Sequence, residues 1–589
     1  MSDEPKMISL IIDGVTVSVP AGTTVMDAAQ QTLGIKIPRL CHHPDLSLQG
    51  SCRVCVVEVK GMDFFMTSCS MLAAEGMEVV TNSPEIRQAR RDIVELLLDN
   101  HPRECQTCER DGNCELQNLA YTLGVRKRLF AGERKHFPIE SSSRSVVRTP
   151  TKCILCGRCV RVCAEVQGVS NLSQHGRGFH TVVSPAHGAN MDDSVCIQCG
   201  QCVNACPTAA FVEKSYTDAV WAALADPNKH VVVHTAPAIR AAIGEGFGMA
   251  PGTPCAGKMV TALRRLGFDA VFDTNFTADL TIIEEATEFL TRFKNNDRLP
   301  LLTSCSPGWV NFMEKFYPEL LPHMSTCMSP MTMLSSLLKH YYPGLIGKQP
   351  QDIFTVAVMP CTAKKYEAGR PEFTEPDGTP LTDAVITTRE LVWMIKSYGI
   401  DMSQLPEDNY DSPMGESSGA ADIFGTTGGV LEAALRMAIE EITGQPPEDV
   451  EITEVRAVEG LRERTLTIDG IQLNVGIANG IQNAKDLLAK VLSGEKDFHI
   501  IEVMACPGGC IGGGGQPYPP EGFRILDKRL LAARASALYK IDQGKAIRSS
   551  KHNPAVQKLY KEFLGEPGGH KAHELLHTHY EPLLPRGIR

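Results

Sequence analysis

The sequence predicts a multidomain protein in which three small cysteine-bearing modules precede one large α/β domain. The chain has 589 residues, more than one hydrophobic core accommodates. Most of its 21 cysteines fall in short-spaced groups before residue 210. Beyond residue 216, apolar strand-like runs alternate with helical stretches. The expected boundaries are 1–80, 81–125, 126–215 and 216–589.

Composition narrows the function. Hydrophobic residues make up 43% and charged residues 22%, ordinary for a globular chain. A net charge of −11 argues against nucleic-acid binding and is compatible with protein partners. Met1–Lys6 has no basic leader, and the apolar run Ile8–Ile12 is too short for a signal segment. No stretch of about 18 apolar residues occurs, so no membrane span and a cytoplasmic location are expected. In that compartment, clustered cysteines read as metal ligands and not as a disulfide framework.

The first module opens with alternating apolar residues over 7–19, broken by Asp13-Gly14, a hairpin signal. A helix over Val25–Leu33 and strands around 53–59 and 63–67 follow. Cys41, Cys52, Cys55 and Cys69 form C-x10-C-x2-C-x13-C, which fits one [2Fe–2S] cluster or a structural zinc. Their order resembles the ferredoxin-like module of the large iron–sulfur subunit of respiratory complex I, which implies a β-grasp fold. A helix over Ser83–Leu98 then runs into Asp99-Asn100-His101-Pro102. His101, Cys105, Cys108 and Cys114 follow as H-x3-C-x2-C-x5-C in a small helical module, and would hold a [4Fe–4S] cluster or zinc. The same complex I subunit carries this motif.

A polar, basic connector (126–148) leads to two runs, Cys153, Cys156, Cys159, Cys163 and Cys196, Cys199, Cys202, Cys206-Pro207. The spacing is that of a two-cluster ferredoxin, in which the fourth cysteine of each run serves the other cluster. Cys153, Cys156, Cys159 and Cys206 are expected to hold one [4Fe–4S] cluster, and Cys196, Cys199, Cys202 and Cys163 the other. Four clusters in series would form a wire toward residues 216–589.

In that large region the expected strands include Val231–His234, Ile353–Val358 and Leu473–Ile477, and the expected helices Lys258–Leu266, Thr281–Phe293 and Val430–Thr443. Neither Gly244–Gly248 nor Gly425–Gly429 makes a strand–GxGxxG–helix unit, so both read as turns and no nicotinamide or flavin site is expected. Three segments stand out: Thr303-Ser-Cys305-Ser-Pro-Gly-Trp309, Met359-Pro-Cys361-Thr-Ala-Lys364-Lys-Tyr-Glu367, and Glu502-Val-Met-Ala-Cys506 through Cys510 to Pro517. Taken alone, the last could be a glycine-rich surface loop. Together they resemble the three signatures of [FeFe]-hydrogenases, whose long members carry the same four N-terminal clusters. The resemblance spans nearly the whole chain and is closest to catalytic subunits of NAD(P)-linked multisubunit enzymes.

It implies an H-cluster, a [4Fe–4S] cubane joined to a two-iron unit with CO, cyanide and azadithiolate. It assigns the cubane to Cys361, Cys506 and Cys510, with Cys510 bridging to the two-iron unit. Lys364 would donate to a cyanide, Met359 and Met504 would pack against the diatomic ligands, and Pro237 and Ala238 would border the cofactor. Protons would pass from Cys305 through a water, Glu285, Ser325 and Glu288 out to Arg292. The implied partners are flavin- and NAD(P)-binding diaphorase-type subunits, small [2Fe–2S] subunits, ferredoxin and maturation proteins.

The chain departs from the family at three places. Family members have two adjacent cysteines where this chain has Cys305-Ser306. Cys305 then keeps the relay position and Ser306 the ligand position, unless Cys305 shifts to ligate the cubane. Met328 replaces a lysine and Ala238 a serine. Glu285 and Glu288 share a helix face, with Arg292 one turn on. Cys255 and Cys327 have no partner group and read as buried apolar thiols. Three functions are therefore expected in competition. A hydrogenase uses every signature, a complex I-like electron-transfer subunit explains only 1–125, and a hydrogen sensor or noncatalytic scaffold would account for Ser306 and Ala238.

Overall fold

A computed structural model describes residues 6–127, 130, 132–445, 450–456 and 460–583. Residues 1–5, 128, 129 and 131, part of the expected leader-free start and basic connector, lie outside the described residues. The N-terminal module is a five-stranded sheet in the order Val15–Pro20, Met7–Ile12, Glu78–Val80, Val56–Val59, Met66–Thr67. The hairpin turns at Asp13-Gly14, with φ of 47° and 81°, and pairs Met7 with Pro20. Helix Val25–Leu33 starts where the Thr24 hydroxyl accepts from the Asp27 amide and stops at Gly34 (φ 68°). The three-residue strand Glu78–Val80 is too short to leave an alternation pattern, and the sequence reading missed it. Helix Pro84–Asp99 follows, with Ser83 as its N-cap.

The large domain contains two four-stranded sheets. One is wholly parallel, in the order Ala270–Asp273, His230–Thr235, Ile353–Met359, Ala384–Thr387. The other runs Leu301–Leu302, Ile500–Met504, Ile471–Asn479, Leu461–Ile468, and only its last pair is antiparallel. Continuous apolar runs such as Val231–Val233 and Val356–Val358 suit strands covered on both faces. Each of the three signatures is the loop leaving the carboxyl end of a parallel strand: Leu301–Leu302 into Cys305, Ile353–Met359 into Cys361, Ile500–Met504 into Cys506. Carboxyl ends of parallel strands are where α/β folds form ligand crevices.

Helix Thr274–Asn295 begins beside that crevice, a full two turns before the expected start at Thr281. Asp273 caps it by accepting from the Asn275 amide. Helices Lys528–Gly544, Pro554–Leu559 and His570–Leu576 wrap the large domain. The last is tied by Met328 N–H to Leu576 O (2.8 Å) and Thr578 N–H to Thr326 O (2.7 Å). Among the described residues, no helix is long and apolar enough to cross a membrane.

Candidate functional site

The three signature loops meet around a cavity. Pro237, Cys305, Ser306, Met359, Cys361, Lys364, Met504, Cys506 and Cys510 all line it. Ala238 does not; its neighbours Ala236 and Pro237 do, while Ala238 packs with Ile511, Leu531 and Leu538. Cys510 packs against the same group, so Ala238, on the short helical turn Pro237–Ile239, lies immediately behind the cavity wall. Glycines allow the loops to converge. Gly509 has φ 96°, and a Cβ on it would lie 2.8 Å from the Thr427 amide nitrogen.

Cys361, Cys506 and Cys510 feel one another's charge, and burial raises all three thiols, Cys510 to about 12. A group of buried thiols that resists ionisation on its own is suited to metal, which supplies the charge that thiolates require. Lys364, the cation on the wall, donates to Cys305 O (3.2 Å) and pairs with Glu367 (2.7 Å). The Ser306 hydroxyl accepts from Ala505 N–H at 3.2 Å, directly beside Cys506. Cys305 lies between two charged neighbourhoods, Glu285 on one side and Cys510 on the other, and burial raises its thiol well above the usual range.

Behind Cys305 runs a line of polar groups. Glu285 is buried, hydrogen-bonds with Ser325, accepts from the Ser304 amide, and leaves Oε2 without a partner. Burial, opposed by the Ser325 hydrogen bond, lifts its carboxyl to about 8. Ser325 Oγ donates to Glu288 Oε2 (3.2 Å), and Arg292 donates to Glu288 Oε1 (2.5 Å). Arg292 is only 4% exposed, and its remaining contacts are backbone carbonyls: Pro322, His323 and Met324.

Cys327 is no isolated thiol. It is fully buried, but its Sγ is 3.9 Å from Glu288 Oε2, and Glu288, Cys327 and His577 bring their polar atoms within 4.8 Å of one another. Reading it as an apolar core residue without a partner group is therefore corrected; the partners come from residue 288 and from residue 577, too distant in sequence to be recognised. Cys255 matches the expectation, buried against Met249 with Sγ on Thr253 O at 3.3 Å. Sequence reasoning also missed Thr326, Glu284 and Tyr560. Glu284 accepts from Tyr560 OH, Gly568 N–H and His577 Nε2. It also missed Glu502, a carboxyl lifted to about 7 by burial and held by the Gly428 and Leu431 amides at a helix N-terminus.

The other cysteine groups assemble as the spacings suggest. Cys41 and Cys52 hydrogen-bond through their side chains, and so do Cys55 and Cys69, a two-plus-two grouping. Cys206 lies with Cys153, Cys156 and Cys159, while Cys163 lies with Cys196 and Cys202. His101 shares a pocket with Cys105, Cys108 and Cys114; burial lowers the imidazole to about 4, and Nδ1 has no partner. A neutral ring with an unclaimed lone pair is a metal ligand in waiting.

The cysteine sites pack against one another. The first module packs Cys41 and Cys52 with Cys156, and Arg161 donates to Cys41 O. The His101 module reaches the same run from another side, through Arg110 to Cys206 O (3.0 Å) and Lys152 to Cys108 Sγ (3.6 Å). Both N-terminal sites thus adjoin the Cys153–Cys206 site, and Cys114 shares a core with Cys41 and Cys52 as well. The second ferredoxin run closes on the cavity. Cys199 is on its wall, Thr362 Oγ1 donates to Gln198 O (2.9 Å), and a Cβ on Gly514 would collide with Cys199 O.

Comparison with known proteins agrees with this arrangement. Residues 229–514 match the family described as "Iron only hydrogenase large subunit, C-terminal domain", and 527–583 match "Iron hydrogenase small subunit". The second match, covering the wrapping helices, had no counterpart in the sequence reading. Residues 5–84, 90–128 and 152–210 match a 2Fe-2S binding domain, the NADH-ubiquinone oxidoreductase-G iron–sulfur region and a 4Fe-4S dicluster domain. The chain is 48% identical to the NADP-reducing hydrogenase subunit HndD of Solidesulfovibrio fructosivorans, over 98% of this chain and 99% of that one. It is 42% identical to iron hydrogenase 1 of Clostridium pasteurianum, over 98% and 100%. An apo [FeFe]-hydrogenase structure from Chlamydomonas reinhardtii is 44% identical with TM-score 0.56, covering 63% of this chain and 99% of that one. With its signatures gathered on one cavity and relatives of this identity along its full length, the chain belongs to the [FeFe]-hydrogenases, iron–sulfur oxidoreductases that act on hydrogen.

Proposed function

We propose that this chain is the catalytic subunit of a cytoplasmic, multisubunit [FeFe]-hydrogenase that interconverts H₂ with two protons and two electrons. One observation carries the reading: Cys361, Cys506 and Cys510 share a single cavity wall with Cys305, Lys364 and Cys199 of the ferredoxin run. Cys361, Cys506 and Cys510 would hold the cubane, with Ser306 at the fourth position and Lys364 donating into the cavity. Met359 and Met504 would give the two-iron unit apolar walls. When bound, that unit supplies the redox centre at which hydrogen is made or split.

The protein's own part is to move protons and exclude water. Cys305 exchanges a proton between the cavity and Glu285, whose Oε2 has no other hydrogen-bond partner. A carboxyl near 8 is matched to general acid–base work at neutral pH. Ser325 then links Glu285 to Glu288. Electrons would use four accessory clusters: a [2Fe–2S] at Cys41, Cys52, Cys55 and Cys69, and [4Fe–4S] clusters at the His101 site and at each ferredoxin site. The domain limits 1–80, 81–125, 126–215 and 216–589 follow these sites. The likeness to a subunit named NADP-reducing supports flavin- and NAD(P)-binding partner subunits as acceptors, with small [2Fe–2S] subunits or ferredoxin beside them.

The test is infrared spectroscopy on protein co-produced with maturation proteins, paired with H₂ evolution from reduced viologen. Protein-bound CO and cyanide bands with turnover are expected. Bands without turnover would favour a hydrogen sensor, the reading to which Ser306 lends weight. No bands, with the accessory iron intact, would leave only an electron wire.

A further inference from the structure

Glu288, Cys327 and His577 meet from three elements, away from the catalytic cavity. Glu288 stands on helix Thr274–Asn295, where Arg292 holds its Oε1 (2.5 Å). Cys327 and His577 oppose each other across an isolated antiparallel bridge, closed by Met328 N–H to Leu576 O and Thr578 N–H to Thr326 O. Residues directly opposite on such a pair send their side chains to one face. Glu288 covers that face: the three ligand atoms lie within 4.8 Å of one another, with Cys327 Sγ 3.9 Å from Glu288 Oε2. A tetrahedral zinc bonded at about 2.0–2.3 Å sets its ligands about 3.3–3.8 Å apart, so only a small closure is needed. The imidazole is already oriented. Its Nε2 is 3.1 Å from Glu284 Oε2, and Glu284 is held by Tyr560 OH and Gly568 N–H. Metal-binding histidines donate their far N–H to such a carboxylate, which leaves the other nitrogen free to ligate. That nitrogen, Nδ1, is 2.8 Å from Thr326 Oγ1, and the same hydroxyl is 3.2 Å from Glu288 Oε2. The hydroxyl stands where a fourth ligand would. Burial and the carboxyls of Glu288, Glu285 and Glu284 raise the Cys327 thiol; the charge that hinders a bare thiolate favours one bound to a dication. The site is reachable, since Thr326 is half-buried and the exposed His573 ring stacks on His577 with centroids 4.1 Å apart.

We propose that Glu288 Oε2, Cys327 Sγ and His577 Nδ1 form a binding site for a zinc-class divalent cation, whose occupation stops proton traffic at Glu288. The block rests on the reading that Glu288 carries protons; the binding does not. A thiolate, an imidazole and one carboxylate are a set that suits zinc over magnesium or calcium, which take oxygen ligands. Binding breaks the Cys327 S–H bond and any O–H bond on Glu288. Those protons pass to solvent, bonds to the metal take their place, and nothing is oxidised or reduced. Glu288 Oε2 is also the oxygen that Ser325 Oγ reaches at 3.2 Å, so a metal seated on it removes the acceptor on which the relay depends.

The test titrates the matured holoenzyme with zinc chloride, anaerobically, after dialysis against a chelator that leaves its iron content intact. Zinc is expected to bind at about micromolar concentration. X-ray absorption at the zinc edge should show one sulfur at about 2.3 Å with imidazole nitrogen and oxygen at about 2.0 Å. H₂ evolution should fall about tenfold or more and return when the chelator is added. Cys327→Ala and His577→Gln should each weaken zinc binding at least about tenfold and bring the ratio of rates with and without zinc back toward one. Zinc that keeps its affinity and sulfur ligand in both variants would belong to the iron–sulfur cysteines and would overturn the proposal. Binding only at millimolar zinc, an adventitious ion only, would overturn it too. Where a variant loses its iron or its CO and cyanide bands, the wild-type zinc shell decides: a shell without imidazole or without sulfur overturns the site. Zinc bound by the expected shell with an unchanged rate would leave the site standing and overturn the reading that Glu288 carries protons.

Discussion

Glu285→Gln separates catalysis from stability within one residue. Glutamine is nearly isosteric and keeps the contacts to Ser325 and the Ser304 amide, but it cannot exchange a proton, so turnover should fall about 10²- to 10⁴-fold. Stability should move the other way. The native carboxyl is lifted to about 8 by burial, whereas the unfolded one titrates near 4.3. A raised native value means that the protonated form favours the fold, a contribution fully present below the unfolded value and lost as pH climbs toward 8. Each unit is worth about 1.4 kcal/mol, so wild type should lose about 4 kcal/mol between pH 5 and pH 8 that the glutamine variant keeps. Anaerobic unfolding of the iron-loaded proteins at pH 5, 6.5, 8 and 9 measures the difference. The variant should gain on wild type up to pH 8 and then level off. A difference that stays constant across this range would refute the buried, neutral Glu285, and with it the matched acid–base group.

Two further substitutions probe other parts of the reasoning. Ser306→Cys puts a thiolate where a hydroxyl now accepts from Ala505 N–H; softer iron ligation should slow loss of the cubane to a chelator, read as iron retained against time. Arg436→Met removes one of two arginine partners from each of Glu432 (2.7 Å; the other is Arg456) and Asp542 (2.9 Å; the other is Arg548), and should destabilise the large domain by about 2–3 kcal/mol, read as a lower denaturation midpoint with the N-terminal iron unaffected.

Much of this protein was legible in its sequence because its chemistry is local. Cysteine spacings such as Cys153-x2-Cys156-x2-Cys159 are set by the reach of a few backbone bonds around a cluster, so they survive as linear patterns. The same holds for the Asp13-Gly14 hairpin and the Ser83-capped helix, whose determinants lie within a few residues. Three glycine-, proline- and cysteine-rich loops after apolar strands likewise marked the catalytic cavity before its walls were known.

Only the tertiary structure decided what depends on residues far apart in the chain. It packed Ala238 behind the wall that carries Cys510, brought both N-terminal cysteine sites against the Cys153–Cys206 site, and paired Cys327 with Glu288 and His577. None of these follows a period or a spacing. Residues 288, 327 and 577 meet because the C-terminal helices wrap back over helix Thr274–Asn295, and the pKa of Glu285 is raised by burial that exists only once that packing is complete. Ligand identity is written in the sequence; proton routing and electrostatics arise from which distant groups the folded core brings together and shuts away from water.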